Sequence, residues 1–215
     1  MQPRQTREWD LVVGPYDLLQ RWLEPHVLRG TRPWIARRAQ GRTLEVAIGT
    51  GLTLQHYPTG VDLVGVDSSR RMLDRARRRA EGLGRRVDLR LGDAQALDLA
   101  DDSFDTVVCV FGLCAVRDER LALAEMVRVL RPGGCLLLAD HIESTRPALR
   151  AAQAVMDVVG LPLPGEHWRR RPLPMVQEMG FTICLSERFL AGAVERVVAR
   201  APTSGRRPET AARHE

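Results

Sequence analysis

Thr43-Leu44-Glu45-Val46-Ala47-Ile48-Gly49-Thr50-Gly51 is the stretch whose reading decides the fold. Its first six residues are a short, mostly apolar run, the length and composition of a buried strand. The run ends on two glycines one residue apart. They let the backbone turn sharply and approach a ligand with no Cβ in the way. A helix starting after such a turn offers free N–H groups to a carboxylate or phosphate. Any tight turn after a strand could also use two glycines, so the next segment has to decide. Val61 to Val66 repeats the strand pattern and ends at Asp67. Asp67 stands about 20 residues past the glycines, where a doubly wound fold places the acid that takes ribose hydroxyls. Alone it reads equally well as a helix cap; with the glycines it reads as part of an adenosine site. A dinucleotide fingerprint wants a third glycine near position 54, and Leu54 is there instead. That argues against a pyrophosphate and for an adenosine ligand bearing a carboxylate.

Outward from this unit the period of apolar residues keeps switching. Ser68 and Ser69 are suitable N-caps for a helix with Met72, Leu73, Ala76 and Ala80 on one face. Its arginines, Arg70, Arg71, Arg75, Arg77, Arg78 and Arg79, read as a solvated face rather than a nucleic-acid site. Val87 to Leu91 and Thr106 to Phe111 are the third and fourth strands. Leu123, Met126, Val127 and Leu130 mark a helix stopped by Pro132-Gly133-Gly134. Cys135 to Ala139 is the fifth strand, followed by a helix over 147–159. A proline-rich connection then leads to a short helix around Met175 to Met179. Phe181 to Glu187 and Val194 to Ala199, joined by a short link, read as an antiparallel hairpin at one edge. The expected fold is α/β: a doubly wound, mostly parallel seven-stranded sheet. Residues 1–40 are expected to form an N-terminal helical lid, broken at Gly14-Pro15 and again at Gly30 and Pro33. Residues 41–200 form the ligand-binding domain and 201–215 a disordered tail.

Composition narrows the function class. The 215 residues are 44% hydrophobic and 27% charged, an ordinary globular mixture for one domain. The net charge is +5, and every one of the 32 basic residues is arginine, which reflects nucleotide bias more simply than selection. The excess is small and spread along the chain, so no nucleic-acid partner is expected. Cys109, Cys114, Cys135 and Cys184 include no C-x-x-C pair, and three sit in apolar runs as core residues. This reads as a reduced, cytoplasmic protein, with neither the apolar run of a signal peptide nor the roughly 20 apolar residues that span a bilayer. Asp98, Asp101, Asp102 and Asp105 read as a solvated acidic loop, and no metal is expected.

Several stretches together resemble class I S-adenosylmethionine-dependent methyltransferases. Leu44 to Gly51 resembles the first motif, with Ala47-Ile48 in place of the more usual Gly-Cys. Gly65-Val66-Asp67-Ser68-Ser69 with Met72-Leu73, then Gly92-Asp93-Ala94, Ser103-Phe104-Asp105 and Arg128 to Gly134 follow in the family's order over about 42–140. The resemblance implies S-adenosyl-L-methionine as cofactor in a Rossmann-like methyltransferase fold. Glu45, Ala47 and the Gly49–Gly51 backbone would face the methionyl end. Asp67 and Ser68 would lie at the ribose, Met72 beside the adenine, and Asp93 and Ala94 at its edge. Val110 and Phe111 would border methionine and acceptor. Core packing is the competing reading for Met72 and Phe111.

For the reaction itself, methyl transfer needs alignment above all; a base matters only if the acceptor keeps its proton. His141, at the end of the fifth strand, is the candidate base, and Tyr16 a candidate closing the site from the lid. Leu113-Cys114-Ala115-Val116, Asp140-His141 and Gly165 to Arg170 are similar to the branch with bacterial phospholipid N-methyltransferases and membrane-associated thiol methyltransferases. The expected partner is therefore a small-molecule or lipid acceptor, phosphatidylethanolamine among them, with peripheral membrane contact through the basic, aromatic N-terminal helix. Thiol S-methylation and quinone-type C-methylation are the alternatives inside the family. A nicotinamide-dependent oxidoreductase and a non-catalytic nucleotide-binding module are the alternatives outside it.

Overall fold

A computed structural model of the chain describes residues 27–159 and 167–203. Their strands are β1 (Arg42–Val46), β2 (Asp62–Asp67), β3 (Asp88–Leu91), β4 (Phe104–Val110), β5 (Leu130–His141), β6 (Thr182–Phe189) and β7 (Val194–Arg200). They form one sheet in the order β3-β2-β1-β4-β5-β7-β6. The pairs from β3 to β5 are parallel, and β7 runs antiparallel to both β5 and β6. The expected seven-stranded, mostly parallel sheet with a terminal hairpin is what forms. Strand order reverses between β1 and β4, and the carboxyl ends of strands at such a switch point open a ligand crevice.

The helices are α1 (Thr31–Ala36), α2 (Arg70–Gly82), α3 (Glu119–Val129), α4 (Pro147–Val159) and α5 (Pro172–Glu178). Ser69, not Ser68, caps α2: its side chain accepts from the Met72 N–H, while Ser68 is exposed. The face the spacing predicted, Met72, Leu73, Ala76 and Ala80, is buried. Asp118 caps α3 by accepting from the Arg120 and Leu121 N–H groups. Three proline readings need correction. Pro33 does not interrupt a helix; it lies in the first turn of α1, where a missing N–H costs nothing. Pro172 and Pro174 likewise start α5, three residues earlier than the apolar pattern suggested. Pro132-Gly133-Gly134 lies inside β5, which begins directly at the end of α3. The β4–β5 register shifts between Phe104 and Thr106 to accommodate it.

Alternation along the strands builds a core on each face of the sheet. Leu44, Val46, Val107, Cys109, Leu136 and Leu138 pack with Leu123 and Met126 of α3 and Val176 of α5. Val108, Val110, Leu137 and Ala139 pack on the other face with Ile35 of α1, Leu73 and Ala80 of α2, and Leu54 and Tyr57. Complete burial of a side chain such as Leu136 or Leu137 contributes roughly 1.5–3 kcal/mol. Glu45 belongs by alternation to the second face, which is why it meets α1 and not α3. The four cysteines are free thiols, with Cys109 and Cys114 buried, Cys135 half-buried and Cys184 exposed. The lid expected over 1–40 is described only from residue 27 onward; residues 1–26, Tyr16, Gly165, Glu166 and residues 204–215 of the expected tail lie outside the described residues.

Candidate active site

The turn after β1 is tightly specified. Ala47, Gly49 and Gly51 all take left-handed backbone angles, φ 55°, 58° and 74°. A Cβ on Gly51 would come within 2.6 Å of Leu54 and 3.2 Å of Ala76, so this glycine lets the loop press onto α2. A Cβ on Gly49 would meet nothing within 4 Å, so the loop is open on that side. Ala47 stands where the family more usually has glycine, and its positive φ explains that usage. Asp67 ends β2 with both carboxylate oxygens anchored: Gly49 N–H donates to one at 2.8 Å and Ser69 N–H to the other at 2.8 Å. These two bonds fix the carboxylate at the end of β2, where a doubly wound fold places the acid that takes ribose hydroxyls. The open glycine cradle and the fixed acid fit an adenosyl ligand. Asp93 is exposed and accepts from the Gln95 N–H at 2.9 Å. Ala94 packs partly against the core. Met72 is 4% exposed, so its core role is present whatever else it does.

Beside the cradle lies a polar cluster buried on the second face of the sheet. Tyr57 donates its hydroxyl proton to Glu45 Oε2 at 3.1 Å. Arg32 of α1 donates to Thr53 Oγ1 at 3.3 Å, and Thr53 also hydrogen-bonds the Glu45 side chain. Burial lifts the Glu45 carboxyl from 4.5 to about 7, against the opposing pull of Thr53, Arg32 and Tyr57. The Tyr57 phenol is held protonated by burial and by the adjoining Glu45 carboxylate. The family resemblance had singled out Glu45 from this cluster. Arg32, Thr53 and Tyr57 arrive by packing of α1 and the turn after the glycines, with no local motif to announce them.

The opposite wall is built where β4 and β5 end. Phe111 has φ 55° and donates its N–H to Ala139 O at 2.7 Å, so its ring turns toward the end of β5. Phe111 stacks on His141 at 4.8 Å between centroids, and His141 meets Trp168 at 4.6 Å. Arg32 lies 5.5 Å over Phe111, linking this row to the buried cluster. Burial, with a smaller push from the Arg32 charge, lowers His141 to about 4, so the ring is neutral at pH 7. Its Nδ1 is 3.9 Å from Cys114 Sγ. Asp140 is buried, raised to about 6 by desolvation, and accepts from the Cys114 and His141 backbone N–H groups. Among the described residues, Cys114, Asp140 and His141 are the group whose ligating atoms lie within 4.8 Å of one another. Backbone N–H groups of Leu113, Cys114 and His141 and the Cys114 side chain all bond Asp140, which makes it a clamp on the β4 loop. Arg170 completes that clamp by donating to the Leu113, Val116 and Arg117 carbonyls.

Other sequence candidates stand apart from the site. The acidic stretch is not simply solvated: Asp101 pairs with Arg128 at 2.6 Å, and Asp105 pairs with Arg131 and accepts from the Arg42 N–H. In the basic helix, Arg77 pairs with Asp74 and Arg79 holds the Thr50 carbonyl. No helix among the described residues is long and apolar enough to cross a membrane.

Residues 44–138 match the family model of a methyltransferase domain. The chain is 39% identical over 118 residues to a phosphatidylethanolamine N-methyltransferase of Cereibacter sphaeroides, covering 54% of this chain and 58% of that protein. It is 33% identical over 170 residues to a ubiquinone/menaquinone biosynthesis C-methyltransferase of Hahella chejuensis, covering 74% of this chain and 68% of that one. The first-named relative is thus spanned over little more than half its length. A SAM-dependent methyltransferase from Aquifex aeolicus superposes with a TM-score of 0.66 at 17% identity, over 89% of this chain and 97% of that one, which is likeness of fold. The strand order, the glycine cradle with Asp67 and these matches agree: the chain belongs to the class I S-adenosylmethionine-dependent methyltransferases.

Proposed function

We propose that this chain transfers the cofactor's methyl group to a small, largely apolar acceptor bound against the Phe111–His141–Trp168 row. The observation that carries this reading is the row itself, which stands at the carboxyl ends of β4 and β5 beside the glycine cradle. When bound, the cofactor supplies an electrophilic methyl group on a cationic sulfonium. The residues of the chain do the rest. Asp67 and the Gly49 turn fix the adenosyl end, and Phe111 and Trp168 limit the acceptor's approach and keep water out. Such alignment is worth up to about 7–11 kcal/mol of the barrier. The Cys114 thiol also hydrogen-bonds the Asp140 carboxyl, and a thiol that spends its proton there offers its sulfur to an Nδ1–H, the tautomer that leaves Nε2 of His141 to take the acceptor's proton. A base near 4 is weak, so it serves an acceptor that becomes acidic only as the new bond forms.

Flat rings stack best on a flat acceptor, which favours a quinone-type ring, and the Hahella chejuensis relative is named for ubiquinone/menaquinone biosynthesis. A lipid amine is the second reading. It is supported by the Cereibacter sphaeroides relative and by α4, which buries only Gln153 and leaves Leu149, Val155, Val158 and Val159 exposed. On this reading α4 and the N-terminal segment would rest on a membrane surface. The deciding experiment offers the enzyme S-adenosylmethionine with a demethylated menaquinol, phosphatidylethanolamine vesicles or a small aryl thiol, and weighs the products by mass spectrometry. Ring methylation supports the first reading and headgroup methylation the second. Methylation of the thiol alone would overturn both. His141→Ala should lower turnover more than tenfold while S-adenosylhomocysteine binding stays within about threefold. Equal losses of both would make His141 a packing residue.

A further inference from the structure

The last spacing in the aromatic row, 4.6 Å between His141 and Trp168, joins two segments that are far apart in the sequence. One side chain bonds both. Gln153 of α4 donates from Nε2 to the Ile142 carbonyl at 2.8 Å and to the Trp168 carbonyl at 3.0 Å, and its Oε1 accepts from the Ser144 N–H at 2.8 Å. Two carbonyls at one end of the amide and an N–H at the other fix which end is nitrogen. Ile142 follows His141 directly, so the two N–H groups of one nitrogen reach the backbones that carry the two rings. The β5 side of this bridge is itself anchored: the Ile142 N–H donates to Ala193 O at 2.8 Å, and Ser144 Oγ donates to Ala191 O at 2.7 Å. On the other side Asp157, one turn after Gln153 on α4, accepts from the Trp168 N–H and from Arg169 Nε, each at 2.7 Å. A carboxylate in the last turn of a helix opposes the helix dipole, so these two bonds are what its place there supplies.

We propose that Gln153 is a positioning residue that sets the distance between His141 and Trp168, and with it the width of the acceptor's wall. This rests on the reading of the row as that wall. The sequence of α4 is rich in alanine and valine, yet the residue it buries is Gln153, 3% exposed. Apolar contact has no preferred direction and tolerates sliding, whereas a hydrogen bond holds only near one length and angle. An amide bonded at both ends therefore fixes a spacing that a leucine in its place would leave free. Leucine would also leave the Ile142 and Trp168 carbonyls and the Ser144 N–H without this partner. The described partners of Gln153 lie at the end of β5 and at Trp168, away from the glycine turn and Asp67, so its effect falls on the acceptor side.

The test is the proton NMR signal of the His141 ring, which the ring currents of its aromatic neighbours displace. The signal is assigned by its loss in His141→Gln and compared in the wild type, Trp168→Leu and Gln153→Leu. Trp168→Leu measures the displacement that the Trp168 ring causes, and Gln153→Leu should remove about half of it or more as the rings part. Gln153→Glu fills the same space and still accepts from Ser144 but, when ionised, offers no proton to the two carbonyls, so it should move the signal the same way. On the acceptor that the mass-spectrometric experiment identifies, Gln153→Leu should raise KM about fivefold or more while kcat and S-adenosylhomocysteine affinity stay within about twofold. A His141 signal that keeps its wild-type position in the folded variants overturns the proposal. Should neither variant fold, the wild type decides: nuclear Overhauser contacts from the Gln153 side-chain amide protons to both Ile142 and Trp168 support the bridge, and their absence overturns it. A displaced signal with unchanged KM keeps Gln153 as the spacer and overturns the row as the acceptor's wall.

Discussion

Glu45 is only about half ionised at neutral pH in the unliganded protein, because burial lifts its carboxyl to about 7. An ammonium arriving beside it favours the charged form and pulls that value down. Binding at lower pH must therefore displace a proton, and affinity should fall toward tenfold per pH unit below 7. Calorimetry of S-adenosylhomocysteine at pH 6 and pH 8 in buffers of different ionisation heat measures both the affinity and the released proton. Glu45→Gln should flatten the dependence; a wild type that binds equally at both values refutes the role. Asp67 gives a second prediction. Asp67→Ala removes the acceptor for the Gly49 and Ser69 N–H groups together with the ribose contact, and should weaken S-adenosylhomocysteine by roughly 1–3 kcal/mol. Asp67→Asn keeps one oxygen and should lose less. Unchanged affinity in a folded Asp67→Ala protein would reduce Asp67 to a cap of the turn. These residues were legible because they sit inside contiguous motifs. Arg32, Thr53 and Tyr57 were not: one arginine among 32 carries no label, and what brings it to Thr53 is a contact across 21 positions.

Elements follow the same division. The central strands β1, β2, β4 and β5 were readable from runs of apolar residues and α2 from its buried period, since the core needs those faces. What pattern could not supply was the response of the chain to proline and glycine. Pro33, Pro172 and Pro174 read as breaks yet begin helices, and Pro132 to Gly134 reads as a stop yet is absorbed as an irregular start of β5. The two turns flanking the switch point show a coupling that neither turn reveals alone. A Cβ on Gly112 would lie 2.7 Å from the Ala47 Cβ and 2.8 Å from Cys109 Sγ. The chain has alanine in the first turn because it has glycine in the second. Gly112→Ala should cost about 1–3 kcal/mol of stability through overpacking. Adding Ala47→Gly removes one of the two clashes and the strain of a positive φ, so the double variant should recover part of the loss in urea unfolding. Purely additive effects would show that the turns are independent.

At the scale of the whole molecule, titratable groups shifted by burial make stability depend on pH with opposite signs, Glu45, Asp140 and His141 among them. Burial raises Glu45 to about 7 and Asp140 from 3.8 to about 6, so both hold protons more tightly folded than unfolded. Their contribution is fully present below their unfolded values and is lost as pH rises through the folded ones. His141 is lowered from 6.5 to about 4. The unfolded chain therefore binds its proton first, and the folded state loses ground as pH falls from 6.5 toward 4. Exposed charges and the net charge of +5 act on every variant alike, so the clean measurement is a difference. The stability of wild type minus Glu45→Gln, from urea unfolding without ligand, should fall between pH 4.5 and pH 7 by as much as about 3 kcal/mol and then level off. Wild type minus His141→Gln should rise between pH 4 and pH 6.5, by up to about 3 kcal/mol and less to the extent that solvent reaches the half-buried ring. Saturating S-adenosylhomocysteine should erase the first difference, because the ammonium keeps Glu45 ionised in the complex, and leave the second in place. A Glu45 difference that is flat with pH, or that persists unchanged in the complex, would show that this carboxyl is not the one facing the methionyl ammonium.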